Sequence, residues 1–324
     1  TRVSTKDVDV AFDDTIAHLQ RTFSSDHVII GVCASGILIR ALAPLLAGKW
    51  QDAAVLAVDE TGKTFIPLLG GHHGGNRLAR DLADRLGGIA AITTPGDAML
   101  GLALDEPPKG WKLGTPETVK PATAALLAGA SARLEVEAGS AAWLTNSTLP
   151  QSEDGTILIT ATAREGADDD AISDVSDTAI TYHPPVLALG VGCERGCPID
   201  DLYDLVTETL AGQCLSVKAI ACVTSIDLKA DEACVHELAR RLGVPARFFD
   251  AQTLEAEADR LVTPSDVVFA ETGCHGVAEG AALAAVGPNG KLIVPKHKTK
   301  RSTCAVALSQ DDISPETVGK AQGK

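Results

Sequence analysis

The chain has 324 residues, 45% of them hydrophobic and only 3% aromatic, and a formal net charge of −15. That length favours two domains, since single cores rarely grow much beyond about 250 residues. The acidity argues against nucleic acid or an anionic membrane as partner, because both are held by neutralising phosphates with Lys and Arg. No apolar run reaches the roughly 18 residues that a membrane-crossing helix needs, and no signal-peptide pattern opens the chain, so a cytoplasmic protein is expected. Thr1 in place of Met leads us to expect that an N-terminal piece has been cut away.

In chain order, the apolar residues Ala11, Phe12, Ile16, Leu19 and Phe23 predict an amphipathic helix within 8–23. A strand is expected at Val28–Val32, a helix at Ile37–Leu46 and a second strand at Ala53–Val58. The Gly-rich stretch 70–75 then opens a helix marked by Leu78, Leu82 and Leu86, with a short strand at Ala90–Ile92. Residues 97–183 read as a smaller, irregular α+β module. It holds Trp111, a helix near Glu117–Leu127, strands at Ala132–Val136 and Thr156–Thr162, and an acidic turn at Asp168, Asp169 and Asp170. Beyond it, strands at Val186–Gly192 and Val217–Val223 alternate with helices. One helix carries Leu202, Val206 and Leu210 on one face; the next carries Val235, Leu238, Ala239 and Leu242, with Asp231 as its cap and Gly243 as its stop. Val267–Ala270 and Lys291–Val294 read as further strands, with an Ala-rich helix at Val277–Val286 between them. The expected fold is therefore α/β: two three-layer domains with mostly parallel sheets, at 1–96 and 184–312, joined by the 97–183 module and followed by a 313–324 tail.

The eight cysteines lie mostly inside apolar runs such as those around Cys33, Cys222 and Cys304, and are expected reduced and unlinked. The Cys193–Cys197 spacing matches no zinc pattern, so no protein-bound metal is expected.

Several turns could carry chemistry. In 70–76, glycines 70, 71, 74 and 75 surround His72 and His73 and lead to Asn76. Such a turn can bring backbone amides close to a ligand and place imidazoles where protons move near neutral pH. It can equally be a flexible turn whose histidines face solvent. Asp59 and Glu60 follow a strand, where they face either a ligand or only the solvent of a hairpin turn. Gly31 to Gly36 also joins strand to helix but is no nucleotide-binding motif. In the C-terminal part, Gly192, Cys193, Arg195 and Gly196 follow a strand. His275, Gly276 and Glu279 are expected after another, and Lys296 and Lys298 at the end of a third. Strand ends converging on polar groups make a ligand site in an open α/β sheet, and Arg is suited to gripping carboxylates. The cationic cluster Lys296, His297, Lys298, Lys300 and Arg301 is either such an anchor for an acidic ligand or a solvated loop.

The stretches 36–46 (with Gly36, Arg40 and Pro44), 58–60, 67–76 and 92–94 resemble the N-terminal domain of the cobalt-precorrin-5A hydrolases (CbiG). The stretches 190–196, 224–232, 276–279 and 294–296 resemble that family's C-terminal domain, which also occurs alone as CobE. Together these motifs run through nearly the whole chain, in order. Two departures stand out. The family's initial strand and helix are absent or shortened before Val8, and its Arg-Arg pair reads Glu194-Arg195 here. The chain also stops where some relatives continue into a precorrin methyltransferase, so half of a fusion is expected as one arrangement. The resemblance implies hydrolytic opening of the δ-lactone of cobalt-precorrin-5A, with release of acetaldehyde to give cobalt-precorrin-5B, at a site shared by the two α/β domains. Residue chemistry offers His72 or His73 as base, Asp59 or Glu60 to orient it, and Arg195, Lys296 and Lys298 to hold the macrocycle's carboxylates. Gly36, Arg40, the glycine turn and Asn76 would complete the binding set, cobalt would arrive inside the substrate, and no cofactor is expected. A non-catalytic corrinoid carrier serving a methyltransferase is the alternative, and a homodimer stays open.

Overall fold

The computed structural model describes residues 8–24, 27–48, 51–71, 74–166 and 177–314. His72, His73, the expected acidic turn at Asp168–Asp170 and the tail beyond 314 lie outside them. The chain divides into two compact units, Thr1–Glu106 and Pro107–Lys324.

The N-terminal unit holds one four-stranded sheet, ordered β1 (Ile29–Val32), β2 (Val55–Val58), β3 (Thr64–Leu69) and β4 (Ile89–Ala90). β1 runs parallel to β2 and β3 parallel to β4, while β2 and β3 form an antiparallel hairpin. One face is covered by α1 (Thr15–Thr22) and α2 (Ser35–Leu42), with Leu19 and Phe23 packed on Leu38, Leu42 and Val55. The other is covered by α3 (Gly75–Leu86), whose Ala79 and Ala83 meet Leu56, Val58 and Phe65. Asp14 caps α1 by accepting from the Ala17 amide, which sets the helix start inside the expected 8–23 range. A short helix α4 (Pro95–Leu100) follows β4.

The C-terminal unit contains two sheets. The first is ordered β5 (Lys112–Leu113), β8 (Ile180–His183), β7 (Ile157–Ala161) and β6 (Ala132–Val136), with helices α5 (Pro116–Leu127) and α6 (Ala142–Thr145). Asp312 ties this sheet to the end of the described chain, accepting from the Trp111 indole at 2.6 Å and the Ser140 amide at 3.0 Å.

The second sheet is ordered β11 (Ala246–Phe249), β10 (Ile220–Ile226), β9 (Leu187–Cys193), β13 (Ser302–Leu308) and β12 (Lys291–Lys298). β9, β10 and β11 are parallel, and β13 is antiparallel to both of its neighbours. The layers follow from the two-residue period of β9. Leu187, Leu189 and Val191 face α7 (Ile199–Ala211) and α8 (Ala233–Leu242), meeting Leu202, Val206, Leu210, Val235, Leu238 and Leu242 in the largest core. On the other face, Ala188 and Gly190 leave room for α11 (Val277–Val286). A Cβ at Gly190 would overlap the carbonyl oxygen of Ala278, so only glycine admits this helix.

Three expectations need correction. Val267–Ala270 is not a strand but lies in helix α10 (Asp266–Thr272), preceded by the short helix α9 (Ala251–Glu255). Four apolar residues cannot fix their own period, and the ends decide: Ser265 caps the helix on the Val268 amide, and Gly273, at φ 80°, closes it. Asp231 does not cap α8. Glu232 occupies that position, and the Asp231 carboxylate is taken by Arg195. Lys296 and Lys298 do not follow a strand ending at Val294, because β12 continues through them and the basic cluster forms the β12–β13 hairpin.

Candidate functional site

β12 runs in the same direction as β9, so the C-terminal ends of β9, β10, β11 and β12 share one edge of the sheet, where open α/β folds bind ligands. The N-terminus of α11 arrives at this edge too. Ile226, Phe249, Ala251, Leu254, Cys274 and Val277 pack together beneath it, fixing the loops after β10 and β11 against Gly273–Gly276.

At the β9 end, Arg195 donates from Nη1 to both oxygens of Asp231, at 3.1 and 2.9 Å, and from Nη2 to the Leu228 carbonyl. That contact raises the Arg195 pKa and lowers that of Asp231. Both side chains are largely exposed, so solvent screens the pair and it adds little to stability, and the guanidinium stays within reach of a ligand's carboxylate. Gly196, at φ 70°, donates its amide to the buried Glu232 at 2.9 Å. Arg301, in the hairpin turn, donates to the Gly196 carbonyl and lies 3.7 Å from Glu194. Glu194 thus answers a cation of its own chain. Cys193 sits with its sulfur 3.3 Å from that of Cys234. Burial, reinforced by this contact, pushes the Cys193 thiol up to about 12, which makes it a protonated packing group. All eight cysteines stand as free thiols.

Around α11 the acidic side chains are organised. Glu279 is 1% exposed and accepts from the amides of Val262, Thr263 and Lys296 and from the Thr263 hydroxyl, at 2.8–3.0 Å. Burial opposes its ionisation, but these donors outweigh burial and hold its pKa below the usual range. The carboxylate is a clasp between the 262–263 loop and β12. The Lys296 ammonium reaches the Thr263 carbonyl at 3.2 Å, while Lys298 is exposed. His275 stands just before α11. Its amide donates to Glu255 Oε2 at 2.9 Å, and its Nδ1 lies 2.8 and 3.0 Å from the two oxygens of that carboxylate. The amide bond, followed by the imidazole, lowers the Glu255 pKa. Glu255 escaped the sequence reading; Asp250, which caps α9 directly after β11 ends at Phe249, was the available signal for a helix there.

In the N-terminal unit the glycine turn has steric reasons for its composition. A Cβ at Gly70 would collide with Ala54, and one at Gly75 would press on the Gly70 carbonyl, to which the Gly75 amide donates at 3.0 Å. Gly74, at φ 82°, caps α3. Gly71 lies beside the buried Asn76, whose Nδ2 donates to Thr94 Oγ1 at 3.3 Å, joining two motif stretches that are distant in sequence. Arg40 donates to the Gly36 carbonyl of its own helix at 3.2 Å. Asp59 accepts from the amides of Thr61, Lys63 and Thr64 and from the Thr61 hydroxyl. These bonds, the Thr61 hydroxyl first, lower its pKa to about 2. Asp59 therefore shapes the β2–β3 turn, and Glu60 is exposed beside it.

Among the described residues, no group of three or more His, Cys, Asp or Glu side chains is placed to hold a metal ion, and no helix is long and apolar enough to cross a membrane. A cavity of about 450 Å³, lined by residues including Glu137, Thr162, Arg164, Leu215, Val294 and Leu308, holds none of the candidate catalytic or binding residues.

Fold and motifs together define a two-part α/β protein of cobalamin synthesis. Residues 17–97 match the family described as Cobalamin synthesis G N-terminal, and residues 187–307 the Cobalamin synthesis G C-terminus. The chain is 30% identical over 304 residues to a Cobalt-precorrin-5A hydrolase of Priestia megaterium, covering 90% of this chain and 80% of that one. It is 30% identical over 264 residues to a protein of the same name from Salmonella typhimurium, covering 76% of this chain and 72% of that one. Protein CobE from Sinorhizobium sp is 46% identical over 121 residues, covering 37% of this chain and 79% of its own. The chain belongs to the cobalt-precorrin-5A hydrolase family.

Proposed function

We propose that the protein opens the δ-lactone of cobalt-precorrin-5A by hydrolysis, releasing acetaldehyde and giving cobalt-precorrin-5B. The observation that carries this reading is the similarity, through both halves of the chain, to the Priestia megaterium hydrolase. Lactone opening needs a base to activate water and donors for the oxyanion at the carbonyl. His72 or His73 is the proposed base, with the amides of the surrounding glycine turn as donors. Asp59 is committed to its own turn, which favours Glu60 as the carboxylate that orients the imidazole. Arg195, Lys296 and Lys298 would bind the macrocycle's carboxylates. The cobalt enters as part of the substrate, and no resident cofactor is invoked. The absence of a membrane-crossing helix among the described residues is compatible with work in the cytoplasm.

The test is anaerobic incubation with cobalt-precorrin-5A and assay of acetaldehyde. The wild type should release it, and replacing His72 and His73 with Ala should slow release by about 10²–10⁴-fold per catalytic group. The second reading, a carrier that delivers a corrinoid to a methyltransferase, rests on the 46% identity of a 121-residue stretch to Protein CobE. Tight corrinoid binding without any acetaldehyde would select it.

A further inference from the structure

We infer that His275 is the axial ligand of the cobalt ion in the bound corrinoid, with Glu255 as its positioning residue. This rests on the proposed corrinoid reading and adds the atom that meets the metal.

The argument begins with the tautomer. A carboxylate only accepts, so with Glu255 2.8 and 3.0 Å from Nδ1 the proton of the neutral ring belongs on that nitrogen, which puts the lone pair of that tautomer on Nε2. Glu255 is itself fixed by the His275 amide, so side chain and backbone are held by one group. A carboxylate behind an imidazole is the usual support for a metal-bound histidine, because it sets the ring's orientation and raises its basicity. The ring is also stacked on Phe269, with centroids 4.4 Å apart and planes 24° from parallel. Nε2 lies 3.6 Å from Asp266 Oδ1, but that side chain is wholly exposed and can swing aside.

The surroundings suit a flat ligand with an apolar ring face and acidic edges. Leu228, Val262, Val267 and Phe269 are all large hydrophobics left exposed on the loops and helix at this edge of the sheet. Val262 adjoins Thr263, whose carbonyl holds the Lys296 ammonium, so a cation for a peripheral carboxylate stands beside the apolar surface. One imidazole cannot retain a free transition metal, and no cluster of three ligands occurs among the described residues. A cobalt ion already held by four ring nitrogens needs only an axial donor, and one imidazole supplies that. The step is a ligand exchange: the cobalt–water bond breaks, the cobalt–Nε2 bond forms, water leaves, and neither proton nor electron is transferred.

The probe is the cobalt(II) form of cobyrinic acid, a corrin with free carboxylates and no nucleotide base, added to the full chain without oxygen. Bound to the wild type, its electron paramagnetic resonance lines should each split into three through coupling to one nitrogen. His275→Ala should abolish the splitting, and free imidazole should restore it. Glu255→Gln should keep the splitting but weaken binding by about 10–100-fold. His236→Ala, at an exposed histidine of α8 that has no place in the site, should leave the splitting unchanged. Bound corrinoid with unsplit lines in the wild type, or splitting that survives in His275→Ala, overturns the inference and leaves the corrinoid reading standing. No binding by gel filtration overturns both.

Discussion

Glu279 offers a quantitative test of how the site is held. Replacing it with Ala strands the amides of Val262, Thr263 and Lys296, while the Thr263 hydroxyl can rotate to another partner. Each buried donor left unsatisfied costs about 1–3 kcal/mol, so three of them, with some relief from entering water, should cost about 3–6 kcal/mol. At about 2–4 °C per kcal/mol for a unit of this size, the melting temperature should fall by roughly 10–20 °C. Glu279→Gln keeps the volume and one acceptor oxygen, and should lose about half as much. The assay is urea and thermal unfolding followed by tryptophan fluorescence in a Trp50→Phe background, so that Trp111 and Trp143 report the C-terminal unit alone. The pH dependence has a definite sign. The folded pKa of Glu279 is depressed, so its stabilisation is complete above the unfolded value near 4.5 and fades as pH falls through the lower folded one. The gap between wild type and Glu279→Ala should therefore close in acid. An Ala variant within about 1 kcal/mol of the wild type that had lost its corrinoid would refute the clasp and return Glu279 to the ligand.

Gly190→Ala should leave little soluble protein, because the new methyl group overlaps backbone rather than a movable side chain; a soluble variant with wild-type urea midpoint would contradict the packing of α11 on β9. Arg195→Ala should leave the urea midpoint nearly unchanged, since its ion pair is exposed and screened, yet weaken binding of a carboxylated corrinoid and flatten the salt dependence of what remains. Asp59→Asn should destabilise the N-terminal unit at neutral pH, and the difference should shrink as pH drops below about 4 and be gone only once it has fallen through the folded pKa of about 2. Acetaldehyde release that stopped at every pH in a folded Asp59→Asn variant would make the residue catalytic instead. Thiol titration of the denatured protein should return all eight cysteines.

Local signals sufficed where a segment's own chemistry outweighed its surroundings. The period of Leu202, Val206 and Leu210 required a helix with one buried face, and Ala132–Val136 was read as the strand it forms. The glycines at 70, 74 and 75 were legible as a tight turn, because left-handed φ or close backbone contact excludes a side chain there. Family motifs in order along the chain were enough to place it in cobalamin synthesis. Long-range pairing was not legible. Val267–Ala270 became a helix because Ser265 and Gly273 closed its ends, and Asp231 left its expected cap for an arginine that lies 36 residues earlier in sequence. Glu279 and Lys296 looked alike as ligand candidates, yet packing buried one as a clasp and left the other's ammonium near the surface. Glu255 had no motif at all. Only the tertiary structure brings α9 against α11 and sets its carboxylate on His275, because such a contact depends on three-dimensional distance, which the order of residues does not carry.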